Sequence, residues 1–93
     1  MKTVLLLGVG RSTHTLIKYL INSRKELNTE IVLADQCSNA FVNSYVNQNK
    51  CRFLSIDINN NESRRREVSK SDLVISMLPP KFHILVAKDC VEF

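Results

Sequence analysis

Two short stretches carry residue types that can hold a phosphate and a sugar. Gly8-Val9-Gly10 follows the apolar run Leu5-Leu6-Leu7 and precedes a segment with helical spacing. Glycine has no Cβ, so backbone there can approach an anion closely. The unpaired N–H groups and positive dipole end of the following helix then face the charge. Asp35 stands at the end of the next apolar run, where a carboxylate can accept hydrogen bonds from both hydroxyls of an adenosine ribose. Each has an ordinary explanation when taken alone, a plain turn for the glycines and a helix-capping aspartate for Asp35. In this order they favour a dinucleotide site. The third glycine of G-x-G-x-x-G is replaced by Thr13, which predicts a slightly wider gap between helix and strand. Gln36, Cys37 and Ser38 follow Asp35 with no arginine for a 2′-phosphate, so the local chemistry leans toward NAD without excluding NADP. Arg11 at the helix start could lie over an adenine, reach a phosphate, or simply be exposed.

Other chemistries have less support. Cys37, Cys51 and Cys90 are odd in number and widely spaced, which fits neither a disulfide framework nor a zinc site and suits a reducing cytoplasm. His14 and His83 read as ordinary helix histidines, so no catalytic residue and no metal are expected. The net charge is +4, but the one dense basic patch, Arg64-Arg65-Arg66, is interleaved with Glu62 and Glu67. It reads as a solvated helix face, and without stacking aromatics on a strand a nucleic-acid partner ranks last. The opening MKTVLLLGVG has the look of a signal peptide, yet it breaks at Gly8 and meets Arg11 with no cleavage pattern. It reads as a buried strand, and no later segment is long enough to cross a bilayer.

The elements that must position these residues follow from periodicity. Thr3 to Leu7, Ile31 to Ala34, Leu73 to Ile75 and, more weakly, Phe53 to Ile56 are apolar without alternation, as strands covered on both faces are. Leu16, Ile17, Leu20 and Ile21 share one helical face, and Phe41, Val42, Tyr45 and Val46 share another. Ser12 or Thr13 is expected to cap the first helix and Ser38 the second. A third helix near Glu62 to Lys70 has few apolar residues. Pro79-Pro80 suits the first turn of a last helix that turns Phe82, Leu85, Val86 and Cys90 inward. Strands alternating with helices over 93 residues imply one α/β domain with a parallel sheet and right-handed crossovers.

The stretches VLLLGVGRSTHTLIKYL, IVLAD, FLSIDIN and SDLVISMLPPKFHILVAKDCV resemble the N-terminal nucleotide-binding domain of the saccharopine dehydrogenase family, and together they cover nearly the whole chain. The resemblance implies a Rossmann-like sheet of about four strands in the order 3-2-1-4 with flanking helices. It implies that Gly8, Gly10, Arg11 and Ser12 line the dinucleotide phosphates, Asp35 the adenosine ribose, and Asp57 with Ile58 the adenine edge. Ser76, Met77, Leu78 and Pro79 would pass beneath the nicotinamide. Family members continue into a substrate domain, so the chain is expected to be the first part of an NAD(P)-dependent oxidoreductase acting on a C–N bond, inactive by itself. Its fourth-strand edge is expected to pair with a second copy as a homodimer. The competing expectation is a nucleotide-sensing regulatory module of the potassium-transporter type, against which Ser-Met-Leu-Pro-Pro argues.

Overall fold

Four runs of Val, Leu and Ile can be buried only if both of their faces are covered, and the chain achieves this by alternating them with helices. The computed structural model describes residues 2–10, 13–57, 59–77 and 86–91. The strands are β1 (Lys2–Leu7), β2 (Thr29–Asp35), β3 (Arg52–Ser55) and β4 (Leu73–Ser76), and the helices between them are α1 (His14–Ser23), α2 (Ala40–Asn47) and α3 (Asn61–Lys70). The strands form one parallel sheet in the order β3-β2-β1-β4, as expected. Leu7 is level with Ala34 on one side and Ser76 on the other, so the carboxyl ends of the three neighbouring strands finish together.

The alternation of side chains along β1 and β2 creates two cores. Val4, Leu6, Ile31 and Leu33 pack with Ile17 and Ile21 of α1 and Val42 of α2. On the opposite face Leu5, Leu7, Val32 and Ala34 pack with Val68 of α3 and Val86. Residues 86–91 are helical. Their inward positions are Val86 and Asp89, whereas Cys90, expected inside, is exposed. Phe82 and Leu85 lie outside the described residues, as do Pro79 and Pro80.

Two local expectations are corrected. Arg64 belongs to no solvated face: it is 3 % exposed and ion-paired with Asp89, which is 2 % exposed, at 2.5 Å. A helix too polar to pack by hydrophobic contact alone is thus tied to the next one through a charge pair. Arg65 reaches the same carboxylate at 3.8 Å, while Arg66 is exposed beside Glu62. The cap of α2 is Asn39 rather than Ser38, whose hydroxyl instead donates to Asn43 Oδ1. Both glycines of the chain lie in one turn, so the reversals after α1 and α2 fall to asparagines. Asn28 and Asn49 adopt φ of 52° and 58°, the left-handed conformation that asparagine tolerates best after glycine. Among the described residues no helix is long and apolar enough to cross a membrane.

Candidate functional site

The β1–α1 turn is held at each residue that matters. Gly8 has φ of 101°, a conformation that strains any side chain, and its N–H donates to Ala34 O at 2.8 Å, extending the β1–β2 ladder by one step. Val9 turns its side chain into the core, 2 % exposed, while its backbone is gripped from two directions. The Val9 N–H donates to Asp35 Oδ2 at 3.0 Å, and the Val9 carbonyl accepts from Asn39 Nδ2 at 2.8 Å. Gly10 is exposed, and among the described residues a Cβ built on it would meet nothing within 4 Å. The Gly10 carbonyl accepts from both the Thr13 hydroxyl (2.6 Å) and the Thr13 N–H (3.0 Å).

Thr13 has a bonding role of its own. It occupies the cap position of α1 and is 1 % exposed, but its side chain makes no cap bond and is spent on Gly10. Burying a hydroxyl is tolerable because the glycine carbonyl satisfies it. Asp35 likewise has a structural task, since its Oδ1 accepts from the Gln36 N–H at 2.7 Å. Both carboxylate oxygens already meet a backbone donor, leaving one lone pair on each for a ribose hydroxyl.

The structure gathers the predicted residues it describes at the carboxyl edge of the sheet. Gly8 and Gly10 follow β1, Asp35 ends β2, Asp57 follows β3, and Ser76 and Met77 finish β4. Between β1 and β4 the chain order reverses direction across the sheet, and open α/β sheets place ligands in that crevice. The Met77 N–H donates to Leu7 O at 2.8 Å, and its side chain is exposed. Ser76 Oγ is buried and has no hydrogen-bond partner among the described residues. Asp57 is exposed and builds a turn, its Oδ1 accepting from the Asn59 N–H and its carbonyl from the Asn60 N–H. Arg11, Ser12, Ile58, Leu78 and Pro79 lie outside the described residues. His14 stacks on Phe41 with ring centroids 3.9 Å apart, which is a packing role between α1 and α2. Among the described residues no group of three His, Cys, Asp or Glu side chains could hold a metal.

Two features leave room for a ligand at this edge, the open backbone at Gly10 and the Ser76 hydroxyl, buried without a partner among the described residues. The grip of Asn39 on Val9 and of Thr13 on Gly10 is not legible in the sequence. Asn39 neighbours Ser38, and two adjacent cap-forming residues cannot be ranked by type.

The family description "Saccharopine dehydrogenase NADP binding domain" matches residues 4–93. A curated relative, saccharopine dehydrogenase (NADP(+), L-glutamate-forming) of Schizosaccharomyces pombe, is 31 % identical over 93 residues, covering 99 % of this chain and 20 % of its own. Among solved structures, apo saccharopine dehydrogenase (L-Glu forming) from Saccharomyces cerevisiae superposes with a TM-score of 0.81 at 24 % identity, over 99 % of this chain and 20 % of that one. SirC, a precorrin-2 dehydrogenase, superposes with a TM-score of 0.74 at 13 % identity, over 92 % and 39 %. At those identities the two structures speak for the fold alone. The chain spans about a fifth of the length of the saccharopine dehydrogenases it matches. The matched family is described by NADP, which supports a nicotinamide dinucleotide and favours NADP where the residues after Asp35 lean toward NAD. With one family description running from the first strand through the last helical stretch, this chain belongs to the saccharopine dehydrogenase NADP-binding domain family.

Proposed function

We propose that this chain is the dinucleotide-binding portion of an NADP-dependent oxidoreductase that acts on the C–N bond of a saccharopine-like amino-acid adduct in lysine metabolism. The observation that carries the proposal is the glycine turn at the head of β1, whose Gly10 backbone opens onto free space beside the Asp35 carboxylate. Gly8, Gly10, Arg11 and Ser12 would hold the pyrophosphate, Asp35 the adenosine ribose, Asp57 and Ile58 the adenine edge, and Ser76, Met77, Leu78 and Pro79 the underside of the nicotinamide. Once bound, the dinucleotide supplies hydride transfer. The chain's part is to anchor one end and orient the other.

Asp35 would repel a 2′-phosphate unless a cation offsets it, and two backbone N–H groups already share its charge. Arg11, next to the turn, is the cation this proposal assigns to the extra phosphate. Following backbone amide shifts while titrating NADP, NAD and ADP-ribose tests the site. Shifts at Gly8, Gly10 and Asp35 are expected, with NADP binding tighter than NAD. Asp35→Asn, which keeps an acceptor for the Val9 N–H while removing the charge, should widen the NADP preference, and Arg11→Ala should narrow it. Silence at all three positions in millimolar ligand would sink the reading.

A further inference from the structure

We propose that Asn39 is a positioning residue for the glycine turn, setting the direction in which the Gly10 N–H points. The inference rests on the reading of this turn as the pyrophosphate seat and adds a residue that touches no ligand. Asn39 takes extended backbone angles one residue ahead of α2, and its side-chain amide is anchored at both ends. Oδ1 accepts from the Val42 N–H at 2.9 Å, and Nδ2 donates to Val9 O at 2.8 Å. Only one orientation of the amide satisfies both contacts, since the Val42 nitrogen can only donate and the Val9 carbonyl can only accept.

The consequence follows from the planar trans peptide. Val9 C=O and Gly10 N–H belong to one peptide unit and point in opposite directions, so anchoring the carbonyl toward α2 aims the N–H away from it. Among the described residues that N–H meets no acceptor. Gly10 is also the residue least able to hold its own conformation, having no side chain to restrict φ and ψ. Asn39 restrains the peptide before it and Thr13 the carbonyl after it. The neighbouring peptide, between Gly8 and Val9, is restrained by Asp35. Asp35 and Asn39 flank the same short connection from β2 to α2, so the ribose acid and the phosphate turn are braced as one unit.

The full chain carrying Asn39→Ser keeps an oxygen for the α2 cap but loses the amide donor to Val9, and Asn39→Ala loses both. Asn39→Ser is expected to melt a few degrees below the native chain, for the one hydrogen bond it loses, while the Val9 and Gly10 amide resonances move and hydrogen exchange at Gly10 quickens. Its affinity for ADP-ribose should fall about five-fold, the worth of one hydrogen bond, and its affinity for adenosine, which lacks the pyrophosphate, should hold. Asn39→Ala should add a loss of stability to the same binding defect. Unchanged Gly8 to Gly10 amides in ligand-free Asn39→Ser would overturn the proposal, as would a loss of adenosine and ADP-ribose binding in equal measure. The ligand-free amides answer separately from the titration, so failure of the native chain to bind any nucleotide would count against the dinucleotide reading while leaving this test of the turn intact.

Discussion

Two glycines separated by a single residue have opposite reasons to be glycine. Gly8 needs its φ of 101°, whatever is bound nearby, whereas Gly10 has no positive φ and, among the described residues, open space for 4 Å around the place a Cβ would take. Gly8→Ala is therefore expected to cost about 1–2 kcal/mol of stability, the penalty of forcing an L side chain into that region. Gly10→Ala should leave stability unchanged or raise it by about 0.4–1 kcal/mol through the unfolded chain, and weaken nucleotide binding because its methyl group takes the space a phosphate would enter. Chemical denaturation and nucleotide titration of the two variants measure both effects. Loss of stability in Gly10→Ala would mean the residue is held in place by the fold rather than kept clear for a ligand.

At the scale of elements, α3 is the weakest part of the design and the Arg64–Asp89 pair is what compensates. The helix contributes a single buried aliphatic side chain, Val68, and starts with Asn60 accepting from the Ser63 N–H. Its tie to residues 86–91 is an ion pair buried at both ends. Asp89→Ala removes the carboxylate that Arg64 and Arg65 share and is expected to cost about 3 kcal/mol. For a chain this small that is a large share of the total. Replacing both residues with aliphatics of similar size, Arg64→Met with Asp89→Leu, should restore most of the loss. Urea unfolding of the single and double variants decides the point. A double variant as unstable as the single one would show that the pair contributes more than satisfied charge.

For the molecule as a whole, burial and edges set the behaviour. Cys37 and Cys90 are exposed and Cys51 is buried, so a thiol reagent should label the first two in the folded chain and reach Cys51 only in denaturant. Burial pushes the Cys51 thiol up, and the nearby Arg24 charge pulls it partly back. A group whose pKa is raised by folding stabilises the fold fully below the unfolded value, about 8.5, and that contribution is lost as pH rises through the folded value. The urea midpoint should fall between pH 8 and pH 10, and fall less in Cys51→Val. The sheet has a second exposure at β4, whose outer side has no strand partner among the described residues and whose sequence, Leu-Val-Ile-Ser, carries no charge or proline to discourage pairing. We propose that two copies join there about a two-fold axis, antiparallel β4 to β4, giving one continuous sheet. Leu73, 53 % exposed, is the position to test, because Val74 packs into the core below. Light scattering across a concentration series should show a dimer that Leu73→Lys disperses. A monomer at every concentration would end the proposal.

The order of strands and helices, the two-faced burial of β1 and β2, and the meeting of Gly8, Gly10 and Asp35 at one sheet edge were legible in the chain itself. They depend on local periodicity and on the handedness of parallel crossovers, both of which act through neighbouring residues. Tertiary structure alone decided the rest. Arg64 reads as a surface charge because nothing nearby along the chain announces Asp89, and only the packing of α3 against the final helical stretch brings the two together. Asn39 and Ser38 are equivalent as cap formers by type, and the choice fell to Asn39 because its amide also reaches the carbonyl of Val9 on a different strand connection. Thr13, in the place of a third glycine, reads as a loss of close packing until the fold shows its hydroxyl turned back onto Gly10. In each case a polar group was buried, and a buried polar group takes its meaning from a partner that sequence distance conceals.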